Sequence, residues 1–188
     1  MAEICHTSGM RPGLPTVEEV RALAPAVALS LVVSLDGQLR GPDGSSRSIS
    51  GPEDLDWLRT LRAAADTVVV GAATAEAERY SPNLVRPEFA AVRAALGLPA
   101  QAHLRILRSH DRLDDLLREH GPHVLLEAGI RLHRALAPHI DRVWISHAPA
   151  LVGDAGAPLA LDLGDFALAD RRLGTQFVVS RFERVSRR

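Results

Sequence analysis

The chain has 188 residues, 46% of them hydrophobic, and a formal net charge of −1. One core-forming domain is expected, and no overall charge draws it to nucleic acid or anionic lipid. Its single cysteine, Cys5, excludes disulfide frameworks and cysteine metal clusters and fits a reducing cytoplasm, while all 22 basic residues are arginine, which removes Schiff-base, pyridoxal phosphate and Walker-lysine chemistry.

In chain order, residues 1–25 read as a flexible segment without the apolar core of a signal peptide. No apolar run approaches the ~20 residues needed to cross a bilayer. Val27–Val33 reads as a strand buried on both faces that ends in Ser34, Asp36 and Gly37. A polar loop, Arg40–Ser48, follows. Ser50 and Glu53 then stand at capping-box spacing around Pro52, and Leu55, Leu58, Leu61 and Ala65 predict a helix that faces the sheet. Thr67–Val70 is a β-branched run that closes in Gly71, with Thr74 three residues on. After the turn-rich Tyr80–Pro87, residues 88–96 read as a helix ended by Gly97. His103–Leu107 is a weakly patterned remnant strand. Asp111 caps a predicted helix bearing Leu113, Leu116 and Leu117, which Gly121-Pro122 ends. Val124–Leu126 predicts a third clear strand, finishing in Glu127-Ala128-Gly129 before a helix over Ile130–Ala137. Arg142–Ser146 reads as a fourth, and Phe166–Val185 as two strands that turn near Gly174.

This alternation with a terminal strand pair predicts an α/β fold: a mixed, mainly parallel sheet flanked by helices on both faces, in a single domain over residues 26–188. Three strand ends carry glycine beside a polar residue: Asp36-Gly37, Gly71 with Thr74, and Glu127 with Gly129. Strand carboxyl ends and helix N-termini are where phosphate-bearing ligands bind, so a nucleotide or phosphosugar site is expected along one sheet edge. Taken singly, Asp36-Gly37 also suits a tight turn, Thr74 a helix cap and Arg86 a solvated surface. Glu127 differs, because an unpaired carboxylate at the rim of a buried strand is costly and a functional role outweighs decoration. Seven of the eight histidines lie between His103 and His147, but at no metal-site spacing, and the six arginines of residues 171–188 read as a solvated face.

Four ordered segments then carry a resemblance: Ser34-Leu-Asp36-Gly37, Leu61-Arg62-Ala-Ala-Ala-Asp66-Thr-Val-Val-Val-Gly71-Ala-Ala-Thr74, Leu126-Glu127-Ala-Gly129 and Ala148-Pro149-Ala-Leu-Val-Gly153. Together they are similar to the pyrimidine reductase family of riboflavin biosynthesis, the reductase domain of the bifunctional deaminase–reductase, which is dihydrofolate reductase-like. The resemblance spans residues 26–185. It implies NADPH-dependent reduction of 5-amino-6-(5-phosphoribosylamino)uracil, with hydride delivered to a sugar imine carbon. Asp36 would be the catalytic carboxylate that stabilises positive charge at the imine. Ser34, Arg86 and Glu127 would bind substrate, the arginine at its phosphate. Gly71, Thr74, Gly129, Ile130 and Gly153 would approach the cofactor. A small-molecule substrate, a cytoplasmic homodimer and no nucleic-acid or membrane partner complete what it implies. The deaminase half is absent, since its paired-cysteine signature cannot be built from one cysteine.

The chain departs from the family pattern in three places. Ala128 replaces the first of two glycines, at a cost of roughly 1 kcal/mol if positive φ is needed there. Ser46–Ser50 lacks the expected tryptophan, and the stretch around 98–123 reads as shortened on the adenosine side of the cofactor. An alternative reading follows: a catalytically impaired relative or truncated product serving as a binding or dimerisation module, or an enzyme of this fold with another substrate.

Overall fold

The computed structural model describes residues 10–77, 79–108, 111, 121–127, 135–159 and 162–185. Among these residues eight strands form one sheet. The strands are β1 (Arg11–Pro12), β2 (Ala26–Ser34), β3 (Thr67–Gly71), β4 (His103–Leu107), β5 (His123–Glu127), β6 (Arg142–Ala148), β7 (Phe166–Leu173) and β8 (Val178–Arg184). Their order is β1-β7-β8-β6-β2-β5-β3-β4. β6, β2, β5, β3 and β4 run parallel, whereas β8 pairs antiparallel with both β6 and β7. The expected mixed, mainly parallel sheet with a terminal antiparallel pair is what forms.

Burial on both faces explains the apolar central strands. Alternate residues feed two cores: Val68, Leu125, Trp144 and Val179 on one side, and Leu29, Val69, Leu126, Val143 and Ile145 on the other. The first face is covered by α1 (Val17–Arg21), α2 (Pro52–Ala64) and α4 (Ala90–Ala95), a short α3 (Ala72–Ala77) following β3 directly. Leu136, Ile140, Leu159, Leu163 and Phe166 pack on the second face. Trp57 of α2 meets Trp144 of β6 edge to face, ring centroids 5.0 Å apart.

Several expectations need correction. Residues 10–25 are not a flexible lead-in. Val17 and Val20 are buried against α2, and β1 pairs with β7. Arg11 and Arg172 both bond Asp170, and Arg172 also reaches Glu19, which ties this segment to the sheet edge. Thr16 and Glu19 form the reciprocal capping box that was expected of Ser50 and Glu53. Gly51 caps α2 instead, without a side-chain bond. Its buried residues are Asp54, Trp57, Leu61, Ala63 and Ala64; of the expected stripe, Leu61 and Ala65 are buried, Leu58 packs partly buried against the core, and Leu55 is exposed. The weak run His103–Leu107 is a full parallel edge strand, paired with β3 over five residues. The expected helix after Asp111, most of that over Ile130–Ala137, and Cys5 lie outside the described residues.

Candidate functional site

The carboxyl ends of β2, β3 and β5 open onto a cleft of about 1200 Å³. Its walls are the middle of β2 where it outruns β5, the 39–50 loop, the inner side of α2, the start of α3, and residues 79–84. Such a crevice is where parallel α/β sheets bind ligands. It exceeds the usual small-molecule pocket of about 300–1,000 Å³, and Arg40, Arg47, Arg59, Arg62 and Arg79 line it. Arg79 adopts a left-handed backbone with φ 52°, uncommon for a residue with a Cβ.

Glu127, the last residue of β5, stands at the head of the cleft and is buried. Arg62 of α2 grips it with both arms of its guanidinium, Nε to Oε1 at 2.7 Å and Nη2 to Oε2 at 2.6 Å. The Tyr80 hydroxyl donates to Glu127 Oε2 and accepts from Arg62 Nη2 at 2.9 Å, while the guanidinium lies 5.2 Å from the tyrosine ring centre. Burial opposes the Arg62 charge, but the bond to Glu127 outweighs it and pushes the guanidinium above its ordinary value. A bidentate pair of this kind fixes both side chains in one plane. The Glu127 charge is therefore balanced, and its orientation is set before any ligand arrives. Sequence reasoning placed Glu127 at a strand rim and left Arg62 and Tyr80 without a role. The signal was the energetic one, since a buried carboxylate calls for a cation within reach.

Thr74, half-buried on α3, lines the same cleft with Ala73. Gly71 ends β3 just behind them, fully enclosed, and does not line it. Ser34 and Asp36 form a separate arrangement at the end of β2. The buried Ser34 hydroxyl donates to Asp36 Oδ1 at 2.5 Å and accepts the Gln38 amide at 2.9 Å. The exposed Asp36 carboxylate also accepts the amides of Val152 and Gly153, at 3.1 Å and 2.6 Å for Oδ2. The bond from Ser34, then that from Gly153, holds the Asp36 carboxyl below its usual range. Gly37 and Gly153 take the left-handed conformations these two turns require, with φ of 77° and 71°. Asp36 thus staples the 152–153 turn to the strand end, and it is not among the residues that line the cleft. Arg86 is also outside it, half-exposed, with a long 3.7 Å contact to Glu88. Gly129, Ile130 and Ala128 lie outside the described residues. The structure thus brings Thr74 and Glu127 together, adds Arg62, Tyr80 and the buried Asp54, and sets Ser34, Asp36 and Gly153 in a neighbouring turn.

The arginine-rich walls suit an anionic ligand such as one bearing phosphate. A chain with this sheet order and this cleft has the dihydrofolate reductase-like fold. Dihydrofolate reductase from Enterococcus faecalis, complexed with NADP(H) and RAB-propyl, superposes with a TM-score of 0.63 at 13% identity, over 86% of this chain and 98% of that one. A pyrimidine reductase-like protein from Corynebacterium diphtheriae does so with 0.73 at 18% identity, over 92% and 100%. RibD from Acinetobacter baumannii gives 0.63 at 21% identity over 86% of this chain, which spans 58% of that protein's length. No protein of curated function matches in sequence. Residues 25–106 match the family model of the RibD C-terminal domain, which bears out the resemblance to the pyrimidine reductases of riboflavin biosynthesis. Among the described residues, every lining residue from Ser30 to Leu84 falls within that matched stretch and Glu127 alone lies beyond it.

Proposed function

We propose that this chain is an NADPH-dependent reductase of the riboflavin-biosynthesis type, acting on 5-amino-6-(5-phosphoribosylamino)uracil or a closely related heterocycle. The observation that carries the reading is the coincidence just described: the stretch that matches the RibD C-terminal domain builds nearly the whole cleft. The NADP(H) complex of the Enterococcus enzyme, which shares the fold, supports the choice of cofactor.

In this reading Thr74 and Ala73 border the cofactor, with Gly71 enclosed behind them, while Gly129 and Ile130 keep the cofactor role that the resemblance implies. A reduced nicotinamide bound there supplies the hydride. Glu127, oriented by Arg62 and Tyr80, accepts hydrogen bonds from the heterocycle's N–H groups, which a carboxylate with a fixed plane can do selectively. The arginines of the cleft wall, and not Arg86, which stands outside it, meet the substrate phosphate. Ser34 and Asp36 act as positioning residues, since the Asp36 carboxylate is already bonded to Ser34, Val152 and Gly153.

Titrating the protein with NADPH while following cofactor fluorescence tests the reading, with saturable binding below millimolar concentration expected. Turnover assays with the phosphoribosylamino-uracil run beside dihydrofolate then discriminate the substrate. Absence of saturable binding would remove the reductase function.

A further inference from the structure

Arg79 stands where an arginine is costly. Two backbone bonds close α3 after Ala77: Tyr80 N donates to Ala75 O at 2.9 Å, and Arg79 N to Glu76 O at 3.2 Å. This pair is the Schellman ending of a helix, and it sets Arg79 at the residue that must turn left-handed. Glycine is the usual occupant, because a Cβ there is crowded by the following carbonyl oxygen. Arg79 is the one non-glycine with a positive φ among the described residues.

Structure alone does not account for an arginine at this point. The helix dipole favours a cation near a C-terminus, but any position of the last turn serves it without the strain. An ion pair would be a second reason. Arg59 has one with Asp56 and Arg62 with Glu127, whereas Arg79 and Arg40 have none among the described residues. The cleft therefore keeps two uncommitted guanidinium groups in its walls. Arg79 also has a telling neighbour. It directly precedes Tyr80, whose hydroxyl bonds both Glu127 and Arg62, while Thr74 stands in the first turn of α3, at the helix's other end. Where a local rule is broken with no structural gain, a functional contact is the expected reason.

We propose that Arg79 is a specificity-determining residue of this cleft, which takes the phosphomonoester of the substrate and keeps its left-handed backbone for that contact. The inference rests on the reductase reading. It gives Arg79 the part that the resemblance implies for Arg86, which stands outside the cleft. A guanidinium suits the task, since its planar fork can donate two bonds to one phosphate. The place beside Tyr80, away from Thr74, puts that contact at the substrate and not at the cofactor.

Steady-state assays and urea melts of the full chain test this together. Arg79→Gly should raise KM for the phosphoribosylamino-uracil about 10–100-fold with kcat kept. KM for the same compound without its phosphate should stay as in wild type, and Arg86→Ala should alter neither value. The same Arg79→Gly chain should fold more stably, its folding constant rising about 2–5-fold as the strain is relieved. A gain in stability with a loss of affinity for the phosphorylated substrate alone is not what a structural role gives. Should Arg79→Gly express poorly, Arg79→Asn serves in its place, since asparagine tolerates the left-handed region and carries no charge. An unchanged KM, an equal rise for both compounds, or a lower urea midpoint in Arg79→Gly would each overturn the assignment and leave the reductase reading intact. So would a lost preference for NADPH over NADH with the substrate effect absent, which would place Arg79 at the cofactor's 2′-phosphate. A wild-type protein that neither binds NADPH nor turns over would remove both.

Discussion

Removing the Arg62 side chain would leave the buried Glu127 carboxylate with the Tyr80 hydroxyl as its remaining hydrogen-bond partner among the described residues. Arg62→Ala should therefore cost about 3–5 kcal/mol, because the uncompensated charge outweighs the lost contact. The midpoint of urea unfolding reads this directly, and pairing the change with Glu127→Leu should recover much of the loss. Asp54 acts in the opposite sense. Burial raises its folded-state pKa, so the native state binds its proton more tightly than the unfolded chain does. Stability should fall as pH rises from the unfolded value of 3.8 through the raised one. Asp54→Asn lacks that fall, so it should be relatively more stable at pH 7 than at pH 4 when compared with wild type in urea melts. Glu127 was legible in the sequence because strand periodicity alone puts it at a rim. Arg62 was not, although it stood in a recognised segment, because its partner is 65 residues away and helix spacing says nothing about reach across to a strand. Asp54 was missed for a different reason. Assigning the inward face to Leu55 turned α2 by one residue, about 100°, and moved the acid from the buried stripe to solvent.

At the scale of elements, α2 does more than pack. Glu53 in its first turn accepts the amides of Thr175, Gln176 and Phe177 and the Thr175 hydroxyl, so it closes the turn between β7 and β8. Burial raises the Glu53 pKa, but these bonds outweigh it and leave the group below its ordinary 4.5. Its contribution is complete above that value and is lost as pH falls from 4.5 through the lowered one. Glu53→Ala should cost about 1–2 kcal/mol and speed amide hydrogen exchange at residues 175–177. The spacing of Ser50 and Glu53 matched a capping box, yet Glu53 bonds a turn more than a hundred residues away, while Thr16 and Glu19 make the box in a segment read as flexible. Local patterns signalled the right kind of bond and could not choose between a near partner and a distant one. β4 shows the same limit. Its residues are only partly buried at the sheet edge, so the apolar alternation that marks central strands is weak there.

For the whole molecule, the two cores on opposite faces of the sheet explain why the strands were the most legible part of the sequence: β2, β3, β5 and β6 are apolar on both sides because both sides are covered. His123 and His147 lie at the two ends of this buried region. Burial, then Arg21 for His123 and Arg171 for His147, lowers both pKa values below 6.5. The folded state therefore disfavours the charged form of both rings. Stability should decline as pH drops from 6.5 through the lowered values, and Tm at pH 5 should lie below that at pH 7. Replacing both histidines with glutamine should remove this part of the acid sensitivity in calorimetric scans. No described helix is long and apolar enough to cross a membrane. The helix α2 is fastened at both ends. Glu53 bolts its start to the 175–177 turn, while Arg93, fully buried, takes the carbonyls of Ala63 and Ala65, and Arg21 that of Ala64. The wall that carries Asp54 and Arg62 is in this sense an anvil, and amide hydrogen exchange in α2 should be slower than in the other walls of the cleft, residues 40–50 and 79–84.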